Sequence, residues 1–251
     1  MIDGVTGDGT IWVSYLFVCG VVAMAALLQS VAGFGFNLIA VSLLTLVLSP
    51  REVVPAMIVA WTPLGLALTA RGRRNVTVPR VACLLAGALP GLLVGTWLLA
   101  AADPLIMKRF IGAIAVISVV LLVSSRGRPF RRERPWIVAA GAVSGVLGGS
   151  TAMSGPPVVL LGLNQAWEPA HFRADLIGYF TALHLIMVGL LFWRGLLTPN
   201  NLTLAGASVP GLVLGYMVGV RVAFRVSPRH FRRLVIAILC VAGVTPWITG
   251  W

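Results

Sequence analysis

Long apolar runs broken by Gly, Pro and clusters of Arg set the pattern of this chain. Read against those breakers, the runs predict ten segments, at about 11–28, 38–48, 52–70, 81–100, 105–124, 136–148, 156–164, 174–193, 203–220 and 230–249. An α-helix needs roughly 20 apolar residues to cross the hydrocarbon of a bilayer, so the second and seventh segments are too short to do so. Each follows a glycine-rich break, Gly33-Phe34-Gly35 and Gly148-Gly149-Ser150-Thr151. The pairs 1–2 and 6–7 are therefore either two thin spans or a hairpin turning at mid-membrane. The predicted class is all-α, a polytopic membrane protein.

The two halves share an outline. Ala88 to Gly95 and Ser208 to Gly215 align with Pro90 on Pro210, Gly91 on Gly211 and Gly95 on Gly215. Pro104 followed by Lys108-Arg109-Phe110 has a parallel in Pro228 followed by Arg232-Arg233-Leu234. This predicts a first transmembrane repeat at 1–125, a basic cytoplasmic linker at 126–135 and a second repeat at 136–251. Charge orients them. Arg71, Arg73, Arg74 and Arg80 form one cluster, Arg126, Arg128, Arg131, Arg132 and Arg134 a second, and Arg221, Arg225, Arg229, Arg232 and Arg233 a third. Placing all three in the cytoplasm, as the positive-inside bias requires, puts both termini outside and Arg173 inside. Only Arg51, Lys108, Arg109 and Arg194 then remain outside. On that topology the repeats are inverted across the membrane, an architecture of transporters with the solute site near the midplane.

Composition agrees with lipid as the solvent. Charged residues make up 10% of the chain and hydrophobic ones 59%, against about a quarter charged in a soluble domain; mean hydropathy is +0.97. The net charge of +12 does not indicate nucleic acid, because its basic residues lie in short clusters between apolar runs rather than along one face. Topology and anionic lipid account for them. Cys19, Cys83 and Cys240 lie inside apolar runs without metal-ligand spacing, so neither a disulfide framework nor a metal site is expected. Met1–Thr10 carries Asp3 and Asp8 but no basic residue, and the first segment reads as a retained span rather than a cleaved signal. Trp12, Trp136, Trp193 and Trp247 fall near segment ends, where an interfacial belt would hold them.

Catalysis finds little to work with. Asp3, Asp8, Glu52, Asp103, Glu133, Glu168 and Asp175 are the acidic residues, and none lies at the centre of an apolar segment. His171, His184 and His230 are not at metal-ligand spacing, Ser154-Gly155-Pro156 has no base nearby in sequence, and no cofactor motif is present. The chain is read as neither an enzyme nor a cofactor protein.

The distinctive stretch is Gly148-Gly149-Ser150-Thr151-Ala152-Met153-Ser154-Gly155-Pro156-Pro157. Gly permits unusual dihedrals, and Pro removes backbone donors. Broken backbone at membrane depth is costly unless it is buried in protein or lines a wet cavity. The hydroxyls of Ser150, Thr151 and Ser154, with the positive end of a helix starting near Pro156, suit an oxyanion; a Gly/Ser packing contact between helices is the other reading. The first-half counterpart, Gln29-Ser30-Val31-Ala32-Gly33-Phe34-Gly35-Phe36-Asn37, offers Gln29, Ser30 and Asn37 beside its own break. When Ala56 is set on Ala174, Trp61 and Tyr179 fall at matched places, as cavity walls or as helix contacts. Arg173 is read as an anion-attracting gate or as an ordinary positive-inside residue, and Asp175 as a first-turn dipole partner. His184 either couples transport to protons or is a hydrogen-bonded core histidine.

At these breaks the chain resembles the TauE/SafE family of sulfite exporters and related anion permeases. The resemblance rests on Gly33-Phe34-Gly35, on Gly148-Gly149-Ser150-Thr151 through Gly155-Pro156-Pro157, and on Arg173-Ala174 opening the next helix. It runs through both halves. The first half departs from the family's richer glycine run, with Phe36-Asn37 and Val41-Ser42 in its place. The resemblance implies export of sulfite, organosulfonates or other small anions across the bacterial cytoplasmic membrane. A permease for another small anion or metabolite, a channel, and a membrane subunit of a larger complex are the competing readings; a homo-oligomer stays open.

Overall fold

The computed structural model describes residues 8–124, 130–222, 239–241, 243–245 and 247. Most of the tenth predicted segment, His230 and the basic residues Arg126, Arg128, Arg225, Arg229, Arg232 and Arg233 lie outside them. The described helices are α1 (Asp8–Ala32), α2 (Phe36–Leu44), α3 (Pro50–Gly72), α4 (Val78–Ala101), α5 (Pro104–Ser124), α6 (Glu133–Thr151), α7 (Gly155–Asn164), α8 (Pro169–Trp193) and α9 (Pro199–Val222). Five of them, α3, α4, α5, α8 and α9, are long and apolar enough to cross a bilayer. The protein is a polytopic, all-helical membrane protein.

Glycine rows fix which helices touch. Along α4, a Cβ on Gly87, Gly91 or Gly95 would run into the backbone of Val138, Ala142 and Val146 of α6. In return Gly141, Gly145 and Gly149 of α6 lie on the carbonyls of Leu84, Ala88 and Leu92. On α9, Gly211, Gly215 and Gly219 lie on Cys19, Ala23 and Leu27 of α1. Small residues four apart let two backbones approach, which is how helices associate where lipid removes the hydrophobic drive. Residue numbers rise together in both pairs, so α1 runs parallel to α9 and α6 parallel to α4. Each half thus lends its first helix to the fourth helix of the other.

The short helices complete hairpins. Asn201, at the start of α9, donates from Nδ2 to the carbonyls of Arg51 (3.1 Å) and Glu52 (2.9 Å). The chain therefore descends α1 along α9 and has returned to the start of α9 by Pro50. Gln165 and Trp167 likewise sit beside Phe130 and Glu133: Phe130 N donates to Gln165 Oε1 at 2.7 Å, and Trp167 Nε1 donates to Glu133 Oε1 at 2.5 Å. So α7 leads back to where α6 began.

The hairpins enter from opposite ends. Helix α3 runs antiparallel to α8, with Thr69 bonded to Thr181 at 2.9 Å and the Asn75 carbonyl to His171 Nδ1 at 2.7 Å. Arg51 Nη2, at the start of α3, donates to Ala100 O at 2.7 Å, which places the end of α4 beside the start of α9. One end of the bundle therefore holds residues 45–52, 100–104 and 194–201, and hairpin α1–α2 opens there. Arg71, Arg73, Arg74, Arg80, Arg131, Arg132, Arg134 and Arg173 gather at the other end, where hairpin α6–α7 opens.

Two sequence expectations change. The second break lies at Ala152–Ser154, not at Gly148-Gly149-Ser150-Thr151, which continue α6; Gly149 packs on α4, and Gly148 faces Ser154 and, on α8, Leu183 and Met187. Helix α8 starts at Pro169 rather than Ala174, because Glu168 caps it by accepting from Ala170 N (3.2 Å) and His171 N (3.0 Å). Those backbone bonds, His171 first, hold the Glu168 carboxyl below the usual range. The cap therefore persists above its lowered pKa and is lost only as pH falls through it. Asp175, expected as a dipole partner, is instead wholly buried. It accepts from Thr77 N at 2.5 Å and pairs with Arg80 at 2.6 Å, and Arg80 also stacks 4.0 Å over the Trp167 ring.

Candidate functional site

The first break turns on glycine. Gly33 (φ 84°) and Gly35 (φ 99°) occupy the left-handed region, which a side chain at Cβ disfavours. The second turns on Ala152, at φ 59°, a non-glycine residue held there by its surroundings. Between the two tips lies a small, partly open cavity of about 30 Å³, lined by residues from α1, α2, α3, α7, α8 and both turns. Phe34 of the first turn comes within 3.9 Å of where a Cβ on Gly155 would stand, so the tips meet.

The described lining is apolar with a few neutral polar groups. Gln29, Phe34, Gly35, Asn37, Trp61, Ser154, Gly155, Pro156 and His184 border the cavity, as the sequence reading grouped them. Trp61 Nε1 donates to Gln29 Oε1 at 3.0 Å. Asn37 Nδ2 lies 3.4 Å from His184 Nε2, and the His184 ring meets Trp61 edge-on at 4.9 Å. Asn37 Oδ1 and His184 Nδ1 are buried with no partner. Among the described residues no side chain caps the start of α2 or α7. The first N–H groups of α2, the single N–H of Gly155 in a first turn otherwise made of Pro156 and Pro157, and the positive ends of both dipoles are thus directed to the tips, an arrangement suited to an anion.

Other expected residues are brought near but face elsewhere. Ser150 and Thr151 donate to Val146 O and Leu147 O, both at 2.7 Å, within their own helix. Ser30 does the same toward Leu27 O at 2.8 Å. Gly149 packs on α4. Tyr179 donates to Ser144 Oγ at 2.8 Å, and Ser144 to Ser154 O at 2.6 Å, so Tyr179 braces the second turn from outside the cavity. Arg173 Nη2 reaches Ser30 O at 2.9 Å, with its stem beside Gly33, and straps the first tip to α8. The sequence reading missed Phe36, Leu38, Ala152, Met153 and Phe180, which also line the cavity. An apolar lining residue carries no signal that separates it from one facing lipid.

The chain matches the family described as "Sulfite exporter TauE/SafE" over residues 16–245. It belongs to that family. It is also similar to a protein named "Probable sulfite/organosulfonate exporter TauE" from Cupriavidus necator, at 26% identity over 233 residues, covering 89% of this chain and 91% of the relative. No solved structure matches it. A membrane-embedded member of an exporter family, with a cavity between two interrupted helix pairs, is a membrane transporter of small anions.

Proposed function

We propose that this protein is a secondary transporter that moves a small sulfur-containing anion, sulfite or an organosulfonate, across the bacterial cytoplasmic membrane by alternating access. The observation that carries the reading is the meeting of two hairpins from opposite ends of the bundle at one polar-spotted cavity. The crossed pairing of α1 with α9 and α6 with α4 supports an inverted repeat of 1–125 and 136–251. The gathering of arginines at one end supports a cytoplasmic 126–135 linker and both termini outside. Gln29, Asn37, Trp61, Ser154 and the turns at Gly35 and Gly155-Pro156 would hold the anion. Arg173 on Ser30 and Gly33 is the gate at the basic end, and His184 is the proton-coupling candidate.

The anion suits these groups. Uncharged donors and helix ends stabilise a monovalent oxyanion without binding it too tightly to release, as transport requires. Counterflow in proteoliposomes tests the reading. A carrier exchanges labelled internal sulfite for external sulfite or sulfonate, with saturation. Flux that never saturates and is not accelerated by external anion would make the protein a channel instead.

A further inference from the structure

The Asn37–His184 pair carries information about the proton on the ligand. Asn37 is 8% exposed and His184 3%, both border the cavity between the hairpin tips, and among the described residues lining that cavity none carries a charge. The pair is joined through Asn37 Nδ2 and His184 Nε2, leaving Asn37 Oδ1 and His184 Nδ1 without partners. A neutral imidazole has one N–H and one lone pair. If Nδ2 donates to Nε2, the free atoms are an amide acceptor, Oδ1, and a ring donor, Nδ1–H. Turning the amide over makes Oδ1 accept from Nε2–H, and the free groups become an amide donor, Nδ2, and a ring acceptor, Nδ1. The roles exchange and the balance does not: counting the second N–H of the amide nitrogen, either arrangement leaves two donors and one wholly unpartnered acceptor.

A fully deprotonated oxyanion can satisfy only the donors. It leaves a buried acceptor facing its own negative oxygen, an unpaired polar group of the kind that buried sites rarely keep. A singly charged oxyanion that still carries a hydroxyl satisfies both. Its O–H serves the free acceptor. Its bare oxygens serve the free donors, the uncapped N–H groups at the start of α2 and the N–H of Gly155.

Resting on the transport reading above, we infer that the site selects the hydrogen-bearing monoanion of an oxyacid, the class of hydrogen sulfite, over an anion of equal charge and shape without a hydroxyl. Methylphosphonate and methanesulfonate form the discriminating probe pair. Under mildly acidic conditions both carry one negative charge, and only methylphosphonate retains an O–H. Calorimetric titration of the full-length protein in nanodiscs with sulfite, methylphosphonate and methanesulfonate reads the difference directly. Methylphosphonate is expected to bind at least about tenfold more tightly than methanesulfonate, the cost of one buried unpaired group. In Asn37→Leu/His184→Leu, checked for monodispersity, that preference falls to within about twofold, since both the free acceptor and the free donors of the pair are gone.

Sulfite binding with methylphosphonate no tighter than methanesulfonate overturns the proton-bearing selection and leaves the transport reading standing. Failure of sulfite and both analogues to bind overturns both. The wild-type comparison decides even where the variant does not fold.

Discussion

The two hairpins are built on one plan and put to different uses. In α6–α7 the hydroxyls turn inward: Ser150 and Thr151 bond the carbonyls of their own helix, and Ser144 links Tyr179 to the Ser154 carbonyl. In α1–α2 the side-chain amides reach out, Gln29 to Trp61 and Asn37 to His184. The two aromatics that the sequence offset matches mark the contrast. Trp61 ties the first hairpin to the cavity wall, whereas Tyr179 braces the second from behind. The motif most conspicuous in sequence is therefore mainly bonded to its own scaffold, and the plainer one brings more polar side chains to the cavity. Hydroxyls in apolar helices bond a carbonyl one turn back by default; amides are too long and too polar to be satisfied that way.

The comparison can be broken at several points, from the largest effect to the smallest. Gly145→Val drives a branched side chain into the Ala88 backbone, where neither helix can give way. It should abolish monodisperse protein on gel filtration, and Gly215→Val, facing the Ala23 backbone, should do the same for α1 and α9. Next, His184→Leu should leave the fold intact and weaken sulfite binding by about ten- to a hundredfold in calorimetry, since it removes one ligand group and strands Asn37. Ser154→Ala, the one cavity-lining hydroxyl of the second turn, should weaken binding by about three- to tenfold. Ser150→Ala should change binding by less than about twofold, because its hydroxyl acts within α6, and Thr151→Ala by little more, since its hydroxyl bonds Leu147 O and accepts only a long 3.3 Å bond from Met153 N of the turn. Strong loss from the last two with no loss from His184→Leu would reverse the assignment of roles.

Much of this fold is legible in sequence because lipid leaves the chain few options. Apolar runs and their breakers place every described helix, and the Pro-Gly register of α4 and α9 anticipates two helices that use their glycines alike. Boundaries fail where chemistry hides behind hydropathy. His171, Arg173 and Asp175 make the first turns of α8 look like a loop, and Gly148-Gly149 looks like a break, although both glycines stay helical, Gly149 packed on α4 and Gly148 against Ser154 and α8. Cavity-lining residues were legible where they were polar and near a turn, as with Gln29, Asn37 and Ser154. The direction in which a hydroxyl points is not, because Ser150 and Ser154 read alike until the turn at Ala152 separates them. Likewise Asp175 gives no sequence sign that it is buried against Thr77 and Arg80 far along the chain.

The two hairpin tips face each other inside the bundle, Phe34 against Gly155. Cysteines placed at Phe34 and Gly155, with Cys19, Cys83 and Cys240 replaced by Ser, test this in native membranes with a short bifunctional thiol reagent. A Cβ at Gly155 has only ordinary contacts, the nearest at 3.7 Å, so the substitution fits. Efficient intramolecular cross-linking, slowed by sulfite and accompanied by loss of counterflow, is the predicted result. Two cysteines that react singly and never join, with or without sulfite, would contradict it.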